Sequence, residues 1–169
     1  MTLLFYSQPY DISAERFYFR SIDEFSKQSA DLKYQHGQPV EEFEIQFIDG
    51  DLIDFDLAKA WGVNQANISR YFEVAEEWDE HEKIRFILAV GECGCDFDPN
   101  KVSADGFDVD IYRLDSMRDL AIEFVEEGLF AEISERFQSY IDYDAIARDL
   151  SMDYSEAVVA GERLIFRCR

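Results

Sequence analysis

The chain has 169 residues, and its 37 acidic against 16 basic side chains leave a formal net charge of −21 at pH 7. This balance argues against direct binding to nucleic acid, because contacts with phosphates require Lys and Arg. It does not indicate disorder, because 47% of the residues are hydrophobic and 15% are aromatic, enough to bury a core. A charge surplus of this size repels itself, so we expect a partner with a large positive surface.

The sequence predicts neither an export signal nor a membrane span. Its first residues, MTLLFYSQPYD, include no basic region and no long apolar stretch, so they do not resemble a signal peptide. No apolar run approaches the ~20 residues that span a bilayer. We therefore expect a cytoplasmic protein without a membrane partner.

Residues 1–56 predict an antiparallel sheet with one helix. Two aromatic-rich segments, 3–6 and 16–20, are typical of strands. Ser21 followed by Glu24 resembles a capping box at the start of a helix of about three turns. Residues 41–48 alternate between apolar and polar side chains and predict a further strand. Asp49-Gly50 then indicates a hairpin turn, so residues 52–55 are predicted as its return strand.

Residues 57–104 predict a small helical subdomain. Apolar residues recur at spacings of three and four along three segments. The first is predicted to end at Gly62, the second covers residues 68–78, and the third is predicted to end at Gly91. The residues that follow, up to the next predicted strand, contain Gly and Pro and are expected to form a loop.

Residues 57–71 also match the pattern of a helix-turn-helix, with residues 65–71 as the recognition helix. A DNA-binding regulator is therefore the alternative function. Arg70 is the only base in that helix, however, and six acids follow it before the next base. Major-groove binding needs several bases that neutralise phosphates. An ordinary helical hairpin is the better interpretation.

Residues 105–169 predict a third subdomain. It contains a strand over 107–112, a helix closed by Gly128, a helical stretch that restarts with Asp142 as its cap, and a final hairpin. Across the whole chain, strands and helices occur in separate groups rather than in regular alternation. This grouping predicts an α+β fold of three small subdomains, 1–56, 57–104 and 105–169.

No catalytic, cofactor-binding or metal site is predicted. A chain with this many acids places carboxylates side by side by chance, and neither histidine belongs to a nucleophile motif. Cys93 and Cys95 lack the further ligands of a zinc site. The calcium-like segment that starts at Asp96 lacks the Gly and Glu that such loops require at their sixth and twelfth positions. A hydrolase that uses clustered carboxylates and a divalent metal is only the third hypothesis.

The acids concentrate in three stretches without a base, Lys33 to Lys59, Arg70 to Lys83 and Arg118 to Arg136. Within these stretches they avoid the apolar positions, so we expect them on outer faces. Alternate strand residues repeat at about 6.6 Å and helical neighbours at about 5–6 Å, close to the ~7 Å step of two phosphates. The alternative is a merely solvated surface. The predicted DNA-mimicking acids are Glu42, Glu44, Asp54, Asp56, Glu73, Glu76, Glu77, Glu80, Asp108, Asp110, Asp119, Glu123, Glu126 and Glu127.

One segment, residues 135–150, resembles the most recognisable stretch of the ArdA antirestriction proteins. In that family a Tyr-(Ile/Phe)-Asp-Tyr group, followed by (Ala/Gly)-Arg-Asp-Leu, precedes a C-terminal hairpin that ends in Phe. Phe166 lies in the final strand here, and Leu120 to Phe124 also fits. The matching motif residues are Tyr140, Ile141, Asp142, Tyr143, Ala147, Arg148, Asp149 and Leu150.

The resemblance implies an elongated homodimer of three-subdomain chains that mimics bent B-form DNA and is not an enzyme. Such proteins occupy the DNA groove of the specificity and methyltransferase subunits of type I restriction–modification enzymes. Mobile genetic elements carry them to evade host defence. The resemblance places dimer contacts on residues 140–150 and the last hairpin, although residues 140–150 also have the spacing of a subdomain core. Arg148 is expected to form an internal salt bridge.

Overall fold

The computed structural model describes residues 3–11, 13–131 and 133–169. The chain forms two compact units, Met1–Gly106 and Phe107–Arg169. Each unit holds a three-stranded antiparallel sheet together with helices. The predicted α+β fold is thereby confirmed. A boundary at residue 56, between a sheet subdomain and a helical subdomain, stays a prediction.

The sheet of the first unit has the strand order β2-β1-β3. Its strands are β1 (Leu4–Pro9), β2 (Phe17–Phe19) and β3 (Phe43–Asp49). Alternation along the strands turns one face inward, and the Phe5 ring lies at its centre with no exposed surface. The other buried side chains of this face include Phe17, Phe19, Phe43 and Ile45.

Helix α1 (Ile22–Asp31) covers the inward face of this sheet. It begins as predicted, because Ser21 Oγ accepts a hydrogen bond from the Glu24 N–H at 3.2 Å. The Glu24 carboxylate accepts another from the N–H of Arg20 at 2.7 Å. Phe25 is the buried residue of the helix, and its ring centroid lies 5.0 Å from that of Phe19. This capped helix thus closes one side of the aromatic core.

The predicted return strand at 52–55 is wrong, because these residues begin helix α2 (Leu52–Trp61). Strand β3 pairs with β1 instead, so the sheet needs no strand at this point. The buried residues of α2 are Asp54, Leu57, Ala58 and Trp61, which have helical spacing. Because Asp54 is an acidic residue, the sequence did not indicate that it is the first buried position of this helix. The helix ends as predicted at Gly62, which has φ 62°.

Two further helices complete the first unit, α3 (Ile68–Glu77) and α4 (Glu80–Phe86). α4 continues into a π-helical turn, Ile87–Glu92, so its helical path does not end at Gly91 as predicted. Trp61 lies among aromatic rings, with its centroid 5.1 Å from Phe86 and 6.3 Å from Tyr71. These contacts hold the helices around one apolar centre.

Gln65, in the turn between α2 and α3, is bonded to the start of β3. The N–H of Phe43 donates to Gln65 Oε1 at 2.9 Å, and Gln65 Nε2 donates to the carbonyl of Glu41 at 2.8 Å. The side-chain amide thus makes the pair of hydrogen bonds that a neighbouring peptide group would make. It links the helical part of this unit to its sheet.

The second unit has the strand order β4-β6-β5. Its strands are β4 (Val109–Tyr112), β5 (Ser155–Val159) and β6 (Glu162–Cys168). Its helices are α5 (Met117–Glu126), α6 (Glu135–Gln138) and α7 (Tyr143–Leu150). The predicted cap of α7 is confirmed, because Asp142 Oδ1 accepts from the Ala145 N–H at 3.0 Å. The buried core of the unit comprises Leu120, Phe124, Tyr154 and Ile165.

The predicted final hairpin is formed by β5 and β6. Its two-residue turn, Ala160-Gly161, has positive φ angles of 53° and 85°. Two successive positive φ angles are characteristic of a type I′ turn, whose twist matches that of the strands. Among the described residues, no helix combines the length and apolarity needed to cross a membrane.

Candidate functional site

Most of the predicted surface acids are exposed. Those of the first unit lie on β3 and its approach, on α3 and at the start of α4, and those of the second lie before β4 and at the end of α5. Asp56, Asp110, Asp119 and Glu123 are half-buried. The exposed ones are Glu42, Glu44, Glu73, Glu76, Glu77, Glu80, Asp108, Glu126 and Glu127.

The acids of β3 and α3 lie opposite the buried faces of these elements. Glu42 and Glu44 alternate with the buried Phe43 and Ile45. On α3 the buried face consists of Ile68, Tyr71 and Val74. The amphipathic pattern that buries the core therefore also arranges these carboxylates in rows on the outer faces.

Asp54 does not belong to the acidic surface, because its residue is only 4% exposed. Lys83 Nζ donates to Asp54 Oδ1 at 2.7 Å and to the carbonyl of Ala75 at 2.7 Å. The hydroxyl of Tyr71 donates to the backbone carbonyl of Asp54 at 2.7 Å, and burial raises the pKa of Tyr71. The pair joins α2, α3 and α4. A buried carboxylate needs a positively charged partner. The sequence analysis did not identify Lys83 as the partner of Asp54.

Many bases form ion pairs with acids of the same chain. In the second unit, Asp110 Oδ2 lies 2.7 Å from Arg167 Nη2 and 2.9 Å from Arg169 Nη2. The hydrogen bond that Arg167 donates to Asp110 raises the pKa of the Arg167 guanidinium. Asp110 therefore offers a partner less negative charge than an unpaired carboxylate. The bases in such pairs within the described residues include Arg70, Lys83, Arg85, Lys101, Arg113, Arg118, Arg167 and Arg169.

The half-buried Asp119 has a local role in the second unit. It lies in the first turn of α5, where its carboxylate accepts from Ser116 Oγ at 2.6 Å. The N–H of Asp119 in turn donates to Ser116 Oγ at 3.2 Å. These bonds cap the helix. Glu126 and Glu127, at the other end of the helix, are exposed and make no ion pair within the described residues.

The helix-turn-helix pattern corresponds to α2, a turn and α3, but its chemistry does not suit DNA. Arg70 Nη1 lies 2.7 Å from Glu73 and 3.4 Å from Glu77. Its hydrogen bond to Glu73 raises the pKa of Arg70. The one base of the predicted recognition helix is thus already paired with acids of the same helix. The exposed side chains that follow it on α3 are carboxylates, which repel phosphates.

The segment Tyr140–Leu150 lies at the surface of the second unit. Tyr140 is 83% exposed, and no residue of α6 or α7 is fully buried. Leu150 packs partly against the core, so the segment is not itself the core of the unit. The salt bridge expected for Arg148 does not occur among the described residues. Asp144 lies instead 3.1 Å from Arg118 Nε.

Within the described residues, no group of three or more His, Cys, Asp and Glu side chains is arranged to hold a metal ion. The arrangement that the structure does offer is a set of exposed carboxylates on the outer faces of strands and helices, which can attract a cationic surface. None of the curated proteins compared with the chain matches it. The family model described as antirestriction protein (ArdA) matches residues 13–162, which include the Tyr140–Leu150 segment. The chain therefore belongs to the ArdA family of antirestriction proteins.

Proposed function

We propose that the protein is a DNA mimic that occupies the DNA-binding groove of a type I restriction–modification enzyme, on its specificity and methyltransferase subunits. The observation that carries this proposal is the contrast between acids and bases. Exposed acids such as Glu42, Glu76 and Glu126 make no ion pair within the described residues, whereas many bases are paired internally. A cationic groove that meets this surface therefore encounters many carboxylates and few competing bases.

The spacing of the acids supports the proposal. Glu42 and Glu44 alternate along a strand direction, which places such side chains about 6.6 Å apart. On α3, Glu73 lies at helical spacings of about 5–6 Å from Glu76 and from Glu77. Of these three, Glu76 makes no ion pair within the described residues, whereas Glu73 and Glu77 are paired with Arg70. Phosphates two steps apart along one strand of DNA differ by about 7 Å in their position along the helix axis. A groove lined with Lys and Arg at phosphate spacing can therefore bind these carboxylates instead.

We propose further that the protein acts as a homodimer through Tyr140–Leu150 and the last hairpin. Apolar side chains are unusually exposed in this region: Phe137 is 57%, Tyr140 83% and Val158 61% exposed. Exposed apolar patches mark interaction surfaces. We place the action in the cytoplasm of a host cell entered by a mobile genetic element.

The dimer can be tested by sedimentation equilibrium of the full chain. Tyr140→Ala is expected to shift the equilibrium toward monomer, because it removes an exposed aromatic ring from the interface. Tyr18→Ala, which removes a ring that is 57% exposed in the first unit, is the matched control. A wild-type protein that stays monomeric at high concentration would contradict the dimer.

The inhibitory function can be tested with a purified type I methyltransferase on a biosensor surface. We expect the wild-type protein to bind, duplex DNA to compete, and added salt to weaken binding, because the contacts are between charges. Glu42→Gln with Glu44→Gln, and Glu126→Gln with Glu127→Gln, should each cause a partial loss. Asp105→Asn is the control, since Asp105 is paired with Arg85. Loss of all binding from one exposed acid in a folded protein would contradict a distributed surface.

A gel-shift assay at low salt separates the mimic from a helix-turn-helix regulator. A mimic is repelled by duplex DNA and should not shift it at any protein concentration. A shift that is lost on Arg70→Ala would favour the regulator.

A further inference from the structure

Two large apolar side chains at the start of α2 are exposed within the longest stretch without a base. Leu52 is 64% exposed and Phe55 is 47% exposed. They lie three residues apart on a helix, which places them on the same face. The Phe55 ring contacts Phe47 edge-on with a centroid distance of 5.7 Å, and Phe47 contacts the buried Phe5 at 5.2 Å. Phe55 is therefore held in place by the core rather than free to fold inward.

Acids flank this pair in the chain. Asp49 and Asp51 precede Leu52, and both are exposed. Asp51 occupies the N-cap position of α2, yet its side chain makes no capping hydrogen bond. That carboxylate stays available for a partner, although an N-cap aspartate would ordinarily bond to the helix. Exposed apolar groups rimmed by charged residues are typical of interaction sites.

The charge of the rim determines which partner fits. No Lys or Arg lies between Lys33 and Lys59, where seven acids occur, six of them outside the buried Asp54–Lys83 pair. A second copy of the same face would place acids against acids, and an anionic lipid surface would do the same. Like charges brought together at an interface oppose association. The surface is therefore complementary to a basic protein surface that has an apolar recess.

We infer that Leu52 and Phe55 form an apolar anchor that docks at the base-contacting centre of the target's DNA groove, while Asp49 and Asp51 take the places of phosphates. The inference rests on the proposed function and deepens it. DNA-binding grooves place phosphate-binding Lys and Arg around a centre that contacts base edges, in part through apolar contacts with thymine methyl groups. The anchor thus imitates the nucleobases of DNA, whereas the acids imitate its phosphate backbone.

If the anchor contributes to binding, part of the affinity for the methyltransferase should not be weakened by salt. Contacts between exposed charges are screened by salt, whereas burial of apolar surface is not. The experiment measures the Kd for a purified type I methyltransferase at several salt concentrations. Leu52→Ser with Phe55→Ser should raise Kd at least about tenfold, by the same factor at every salt concentration. Asp49→Asn with Asp51→Asn should instead reduce the dependence of Kd on salt.

Ile48→Ser is the matched control, because Ile48 is 47% exposed, as Phe55 is, and lies in β3 rather than on α2. It should leave Kd unchanged. Leu52→Ser alone, at an exposed position in the first turn of α2, should show part of the effect if the double variant is unstable. Circular dichroism and thermal unfolding verify the fold of each variant.

The possible outcomes separate the two proposals. If wild-type protein binds but the folded Leu52 and Phe55 variants bind equally well, or if their loss appears only at low salt, the anchor is overturned and the DNA mimic stands. An equal loss from Ile48→Ser also overturns the anchor. If the wild-type protein does not bind the methyltransferase, the proposed function fails and the anchor fails with it.

Discussion

At the scale of single residues, the Asp54–Lys83 pair separates structural acids from acids available to a partner. Their side chains are 6% and 10% exposed, and both are bonded within the first unit. Replacement of one member leaves the other charge buried without its partner, which destabilises proteins by about 3–5 kcal/mol. The pair therefore contributes to folding, and its carboxylate cannot serve as an imitation phosphate.

We expect Lys83→Met to lower the free energy of unfolding by about 3–5 kcal/mol. The measurement is urea unfolding, and Lys59→Met, at an exposed lysine on α2, is the control. Asp54→Leu combined with Lys83→Met should recover most of the loss, because no unpaired charge remains buried. If Lys83→Met and Lys59→Met behave alike, the pair has no structural role.

A second prediction at this scale concerns Tyr112. Burial, together with its contacts with Tyr154, raises the pKa of Tyr112 from 10.0 to about 12. The folded form therefore keeps its proton where the unfolded form loses it. Stability from this group is complete below pH 10 and is lost as the pH rises toward 12. Unfolding measured across this range should show a smaller loss in Tyr112→Phe than in the wild type, and a similar loss in both would contradict the shift.

At the scale of elements, local sequence signals predicted the ends of helices more reliably than they predicted which strands pair with each other. Ser21, Gly62 and Asp142 end or cap helices as predicted, because each acts through hydrogen bonds or dihedral angles of its own neighbourhood. The error at residues 52–55 arose because a strand can pair with either of two partners. Pairing of β3 with β1, far away in sequence, leaves no local trace.

The β5–β6 turn offers a prediction at this scale. Ala160 adopts a φ of 53°, where Asn or Gly is favoured over other residues. We expect Ala160→Asn to raise the free energy of unfolding, because Asn tolerates this left-handed conformation better than Ala does. Gly161→Ala, at φ 85°, should lower it instead. Thermal unfolding of both variants checks the pair, and a stabilising Gly161→Ala would contradict the turn assignment.

At the scale of the whole molecule, charge and the motif at residues 140–150 were readable from the sequence, whereas the pairing of charges was not. The exposed acids follow from amphipathic spacing, which a sequence displays directly. Ion pairs such as Arg167 with Asp110 join residues far apart in the chain. A count of acids therefore overstates the carboxylates available to a partner, as Asp54 and Asp110 show.

A prediction at this scale compares paired with unpaired acids. Glu126→Gln and Asp110→Asn remove the same formal charge, but Asp110 lies between two arginines. We expect Glu126→Gln to weaken inhibition of the restriction enzyme without affecting stability. Asp110→Asn should lower the thermal midpoint of the protein more than Glu126→Gln does. Cleavage assays and calorimetry on the same samples test this, and the reverse order of effects would contradict it.

The two hydrogen bonds between the Gln65 side-chain amide and the start of β3 have a consequence for aggregation. The start of β3 would otherwise present an unpaired N–H and carbonyl, and such edges recruit strands from other molecules. Because the amide of Gln65 fills both positions, at 2.9 and 2.8 Å, a foreign strand cannot begin pairing there. Glu42 and Glu44 add like-charge repulsion against a second copy. The edge of the strand that carries the exposed Glu44 is thus protected from amyloid-like pairing with a second copy.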